Sequence, residues 1–144
     1  MVGYRDILVA IDCSPVDETL VGQVSALAAP LGARVHLLHV VHSHTLDQER
    51  ALREQAMIVL DRHRAALQGN GVEVELHLRS GEPDREILKE IGEHRYDLLA
   101  LAAHGHGLLE RFLFGSVSRS LRGKITIPLL LIGPERLPPK GTDA

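Results

Sequence analysis

Two short runs constrain the fold of this chain more than any other feature. Ile7–Ile11 (ILVAI) is apolar throughout, and Asp97–Ala103 (DLLALAA) is apolar after its first residue. Short, uniformly aliphatic runs suit strands buried on both faces, which is what a helix-covered parallel sheet requires. Arg34–Val41 (RVHLLHVV) reads as a second strand. Val72, Val74, Leu76 and Leu78 alternate with Glu73, Glu75 and His77, which predicts an edge strand with one wet face. Ile125–Ile132 (ITIPLLLI) is the last strand. Pro128 lacks the N–H of a ladder residue, so that strand lies at an edge or starts irregularly.

Helical periodicity fills the intervals. Ser14 is placed to cap a first helix, with Pro15 in its first turn and Asp17 three residues after the cap. Leu20, Val24, Leu27 and Leu31 then recur on one face, and Gly32 supplies a stop. Thr45–Gln68 carries Leu52, Ala56, Leu60, His63 and Leu67 on one stripe, stopped by Gly69-Asn70-Gly71. Pro83–His94 turns Ile87, Leu88 and Ile91 inward and leaves Asp84, Glu90 and Glu93 on a solvated face. Gly115–Gly123 reads as a short helix. The order β-α-β-α-β-α-β-α-β predicts a single doubly wound, five-stranded parallel sheet, an α/β domain with helices on both faces. Strand orders 2-1-3-4-5 and 3-2-1-4-5 both satisfy this pattern. In either, a ligand crevice forms beside strand 1, outside the carboxyl ends of the strands. Residues 1–133 are expected to form the domain and 134–144 a loose tail.

Charge and composition narrow the function. A net charge of −3 and an aromatic content of 3% provide neither a broad positive field nor a stacking platform for nucleic acid. No apolar run approaches a membrane span, and the start of the chain runs directly into a strand rather than a leader. Cys13 is the single cysteine, so no intrachain disulfide can form, and the expected compartment is the cytoplasm.

The chemistry gathers in two loops that meet under the 3-2-1-4-5 order. One is Asp12-Cys13-Ser14-Pro15; the other runs from Ala103 to Ser118. Gly105 and Gly107 allow close backbone approach to a ligand. Gly115-Ser116 opens a helix whose free N–H groups, with the Ser116 and Ser118 hydroxyls, make an anion site. Arg111, Arg119 and His104 add charge. The spacing matches neither the Walker loop nor the dinucleotide fingerprint. Cys13 reads as a small turn residue rather than a reactive thiol. His36 and His39 point to opposite sides of a strand, and His104 with His106 lacks a third ligand, so no dedicated transition-metal site is expected. Glu73 and Glu75 read as wet-face residues rather than a catalytic pair.

Ala102–Ser118 (AAHGHGLLERFLFGSVS) resembles the nucleotide-binding signature of the universal stress protein family, G-x2-G-x9-G-[S/T]. Gly105, nine residues and Gly115-Ser116 match it, with Ala102 in the place of the first glycine. ILVAIDCS (Ile7–Ser14), LLHVV (Leu37–Val41), GEPDREIL (Gly81–Leu88), RYDLLALAAHG (Arg95–Gly105) and IPLLLI (Ile127–Ile132) agree with the same family. The resemblance extends from about Tyr4 to Ile132. It implies the 3-2-1-4-5 order, a homodimer through the last strand (Ile125 to Ile132), and bound ATP, or AMP or ADP. It also implies Mg²⁺ or Mn²⁺ bridging the phosphates near Asp12. Ala10, Ile11 and Val40 would line the adenine pocket, with Asp12 at the ribose or the metal. Leu101, Ala102, His104 and Gly105 would follow the ribose and phosphates, and Gly115, Ser116, Val117 and Ser118 would hold the phosphate tail. Alanine at 102 is strained if the backbone there needs positive φ and costs little if it does not. The implied function is a nucleotide-dependent stress-response and signalling dimer, with unidentified protein partners and little or no turnover. The alternatives are a nucleotide-free dimer acting through protein contacts, or a slow ATPase or adenylyl-type enzyme on the same fold.

Overall fold

A computed structural model describes residues 3–102 and 125–133. Its elements are β1 (Asp6–Ile11), α1 (Asp17–Leu31), β2 (Arg34–Val41), α2 (Leu46–Gly69), β3 (Glu73–Ser80), α3 (Pro83–Glu93), β4 (Leu98–Ala102) and β5 (Leu129–Ile132). All pairings are parallel and the order is β3-β2-β1-β4-β5. Of the two orders open to the sequence pattern, the chain takes 3-2-1-4-5. β3 lies at an edge, as its alternation predicts. The helix expected at Gly115–Gly123 and the tail at 134–144 lie outside the described residues.

The apolar runs divide between two cores. Ile7, Val9, Ile11, Val35 and Leu37 pack with Leu20, Val24 and Ala28 of α1 and with Leu60 and Leu67 of α2. Leu8, Ala10, Leu38, Val40, Leu99 and Leu101 meet Ile87 of α3 and Tyr96 on the opposite face. Burial of each large aliphatic side chain contributes about 1.5–3 kcal/mol. Strands stripped of water on both faces therefore fix the centre of the sheet.

Local boundaries differ from the pattern in instructive places. α1 begins at Asp17, later than expected, and Val16 at its N-cap makes no side-chain bond. Residues 14–18 form a tight turn instead, with Asp17 N donating to Ser14 O at 3.1 Å and Glu18 N to Pro15 O at 3.3 Å. The tie that Ser14 was expected to supply comes from Asp17, whose Oδ2 accepts from Ser14 N at 3.1 Å. The buried stripe of α1 is Leu20, Val21, Val24 and Ala28, whereas Leu27 and Leu31 are exposed. At 3.6 residues per turn, Leu27 lies roughly a quarter-turn from the centre of that stripe. α2 keeps its predicted stripe and takes Thr45 as N-cap, with Oγ1 accepting from Gln48 N at 3.1 Å and Gln48 Oε1 accepting from His44 N at 2.9 Å. β5 is shorter than Ile125–Ile132, because ladder pairing begins only after Pro128. In α3, Glu93 is exposed as expected, but Asp84 and Glu90 are buried, at 6% and 3% exposure.

Candidate functional site

α3 carries the chain from edge strand β3 across the sheet to β4, so the winding reverses between β1 and β4. Val9 pairs with Ala100, and Ile11 and Ala102 each lie two residues further along their strands. At this carboxyl end a small pocket is lined by Ala10, Ile11, Asp12, Leu38, Val40 and Ile87, with His39 and Pro83 beside them. Four of the residues singled out from the sequence, Ala10, Ile11, Asp12 and Val40, thus share one pocket. Leu38, His39, Pro83 and Ile87 were not singled out. The latter two arrive because Gly81, at φ 141°, turns the chain back over β2, its N–H donating to Val41 O at 2.9 Å. A side chain at position 81 meets Glu86 Cγ at 3.0 Å as well as the unfavourable φ. His39 Nδ1 lies 2.9 Å from Ile11 O and donates to it, since a carbonyl can only accept.

Leu101 is fully buried in the core beneath α3. Ala102 faces the opposite core, towards α1 and α2, and pairs with Ile132. Among the described residues, Cys13 at φ 62° is the one non-glycine with positive φ. Ala102 is therefore ordinary extended backbone, and alanine stands in the place of the signature glycine without strain. His104, Gly105, Gly115, Ser116, Val117 and Ser118 lie outside the described residues, as do Gly107, Arg111 and Arg119.

The loop after β1 concentrates charge. Asp12 Oδ1 accepts from Ser14 N at 3.2 Å, and Asp17 Oδ1 accepts from Asp12 N at 3.5 Å. Burial first, and then the Asp12 carboxylate, push Asp17 up to about 7 against the backbone donors at Asp12 and Ser14. The neighbouring Asp12 charge thus adds to the cost that burial places on ionising Asp17. Cys13 is exposed as a residue, yet partial burial of its thiol, then Asp17 and Asp12, raise it to about 11. The thiol stays protonated and acts as a turn residue. Ser14 Oγ is buried and has no partner among the described residues. An acid beside an apolar slot suits a ligand with a flat apolar ring and a polar, hydroxylated end.

Residues 3–133 match the universal stress protein family. This chain belongs to that family. A Staphylococcus aureus (strain USA300) protein named as a universal stress protein is 28% identical over 148 residues, covering 96% of this chain and 89% of the relative. The structure of the hypothetical protein MJ0577 superposes with a TM-score of 0.75 at 26% identity, covering 94% of this chain and 100% of that one. The universal stress protein of Archaeoglobus fulgidus, solved in complex with dAMP, has a TM-score of 0.66 at 23% identity, covering 90% and 98%. No helix among the described residues is long and apolar enough to cross a membrane.

In this universal stress protein, α3 is held over the pocket by a polar clamp rather than by apolar packing alone. Arg79, on the edge strand, donates to Glu86 Oε1 at 3.1 Å, Glu90 Oε1 at 2.8 Å and Glu93 Oε2 at 3.4 Å. Tyr96 OH donates to Glu90 Oε2 at 2.6 Å. Burial works to raise Glu90, but the bonds from Tyr96 and Arg79 outweigh it and hold the carboxyl below its ordinary range. Burial likewise opposes the Arg79 charge, and its three carboxylate partners more than offset this. This clamp is why Glu90 is buried where sequence periodicity placed it in solvent.

Proposed function

We propose that this universal stress protein binds an adenine nucleotide in the crevice at the carboxyl ends of β1, β2 and β4. The observation that carries this reading is the convergence of Ala10, Ile11, Asp12 and Val40 on one pocket roofed by α3. The dAMP complex of the Archaeoglobus fulgidus protein supports the ligand class. Adenine occupies the apolar slot beside Leu38 and Val40, and Asp12 and Ser14 face the ribose. The chain from Ala102 through Ser118 follows the phosphates, with main-chain amides at Gly115–Ser118 holding the tail. ATP is the favoured nucleotide, with Mg²⁺ or Mn²⁺ offsetting phosphate charge near Asp12. The protein acts as a signalling homodimer through β5, whose Leu129 and Leu131 are 37% and 43% exposed. Its output is altered partner affinity rather than turnover, as the family resemblance implies, because a hydrolase would also need a positioned water.

Equilibrium dialysis of the full chain against ATP with Mg²⁺ tests this. One nucleotide per chain is expected, with hydrolysis at background. Gly115→Val, which crowds the phosphate loop, is expected to weaken binding by about tenfold or more. Wild-type protein that binds no ATP at millimolar concentration sinks the reading in favour of a nucleotide-free dimer.

A further inference from the structure

We propose that His36, Glu75 and His77 form a binding site for one divalent transition-metal ion of the zinc class, separate from the nucleotide crevice. His36 on β2 is level with Glu75 on edge strand β3, and His77 lies two residues further along β3. All three occupy the sheet face covered by α3, towards the amino ends of the strands, whereas the crevice opens at the carboxyl ends. His36 Nδ1 lies 3.0 Å from His77 Nε2 and 3.1 Å from Glu75 Oε2, and the latter two atoms are 4.0 Å apart. Zinc–nitrogen and zinc–oxygen bonds of about 2.0–2.2 Å in a tetrahedron place ligand atoms about 3.3–3.5 Å apart. The observed separations straddle that value. A small adjustment of Glu75 and His77, both partly exposed, closes all three atoms on one ion.

The surroundings orient the ligands. Asp6 Oδ1 lies 2.9 Å from His36 Nε2, so the carboxylate holds the proton on that nitrogen. The Nδ1 lone pair is then directed at Glu75 and His77. A carboxylate bonded to the far nitrogen of a ligating imidazole is the usual outer support of a metal-bound histidine. The His36 ring is fixed by the edge contact with Tyr96 at 4.9 Å and stacks on His77 at 5.3 Å. In this tautomer His36 Nδ1 is an acceptor facing the Glu75 carboxylate, and a cation between them resolves the conflict. Two imidazoles and one carboxylate favour zinc, nickel, cobalt or copper over magnesium and calcium, which prefer all-oxygen shells. Three protein ligands leave a fourth position for water. The juxtaposition is invisible in sequence because the ligands lie on separate strands and meet only through the β2–β3 register.

The test is titration of chelator-stripped, full-length protein with Zn²⁺ alone, in competition with a chromophoric indicator. One ion per chain is expected at micromolar or tighter affinity. His77→Gln is expected to weaken binding by about tenfold or more while its thermal melt stays near wild type. Glu75→Gln, on the more exposed ligand, provides a second variant that leaves the core untouched. The paired His42→Gln, His44→Gln variant removes two imidazoles from another surface, one more than His77→Gln, and leaves affinity unchanged. Absence of stoichiometric zinc binding overturns the proposal. So does binding that survives both His77→Gln and Glu75→Gln; the His36–His77 contact is then an ordinary hydrogen bond.

Discussion

Arg79→Met is expected to destabilise the fold by about 3 kcal/mol at pH 7, the cost typical of removing one partner from a buried ion pair. Methionine keeps much of the apolar stem and removes the guanidinium, so the loss reports the charge rather than the packing. Glu90 is 3% exposed, and without Arg79 it keeps the Tyr96 hydroxyl at 2.6 Å and the His94 ring, whose Nε2 lies 3.6 Å from Oε2. Tyr96→Phe, which leaves the guanidinium in place, is expected to cost less, about 1.5–3 kcal/mol for one bond to a charged acceptor. The sign with pH follows from Glu90 lying below its ordinary value in the folded state. Its contribution is fully present above the unfolded glutamate value and is lost as pH falls through the folded one. The gap between wild type and Arg79→Met therefore narrows in acid. Urea unfolding at pH 7 and pH 4 measures this. Because Arg79 ties edge strand β3 to α3, the variant also loosens the helix that brings Pro83 and Ile87 to the pocket.

Asp17→Asn is expected to do the reverse, stabilising the protein more at pH 8 than at pH 4.5. Asp17 is 1% exposed and stands at about 7 in the folded chain against an ordinary value of 3.8. A carboxyl raised on folding holds a proton that the unfolded chain releases. Its contribution is full below the unfolded value, declines as pH rises through the window between 3.8 and about 7, and is flat above it. Asparagine is neutral throughout and keeps an acceptor for the Ser14 N–H. The difference between variant and wild type should grow by on the order of 2 kcal/mol from pH 4.5 to pH 8. This is less than the full shift converts to, because the interval begins above 3.8. Paired urea curves at the two pH values decide it: a constant difference means that Asp17 ionises freely.

Much of this architecture is legible in the residues because burial on two faces leaves a simple trace. ILVAI and DLLALAA read as central strands, and the polar alternation of β3 reads as an edge. The strand order was not legible from periodicity, since both windings bury the same runs; the family resemblance selected one. The burial of Asp84 and Glu90 was hidden for a related reason. A charged residue on a helix reads as solvated unless its partners are known, and the partners of Glu90, Arg79 and Tyr96, come from β3 and the approach to β4. His36 and His77 were missed because alternation along one strand separates histidines, whereas register between strands brings them together. In the pocket, Asp12 was legible from its loop after the first strand and Val40 from the resemblance, while Pro83 and Ile87 depend on the Gly81 turn.

The nucleotide crevice is tested most directly by following the backbone amides of the full chain by NMR while ATP is added. A nucleotide in this crevice gives saturating shifts at Ala10, Asp12, Val40 and Ile87, complete at one nucleotide per chain. Shifts confined instead to the groove between α1 and α2, around Gly22, His63 and Asn70, or no saturable shift at millimolar ATP, contradict it.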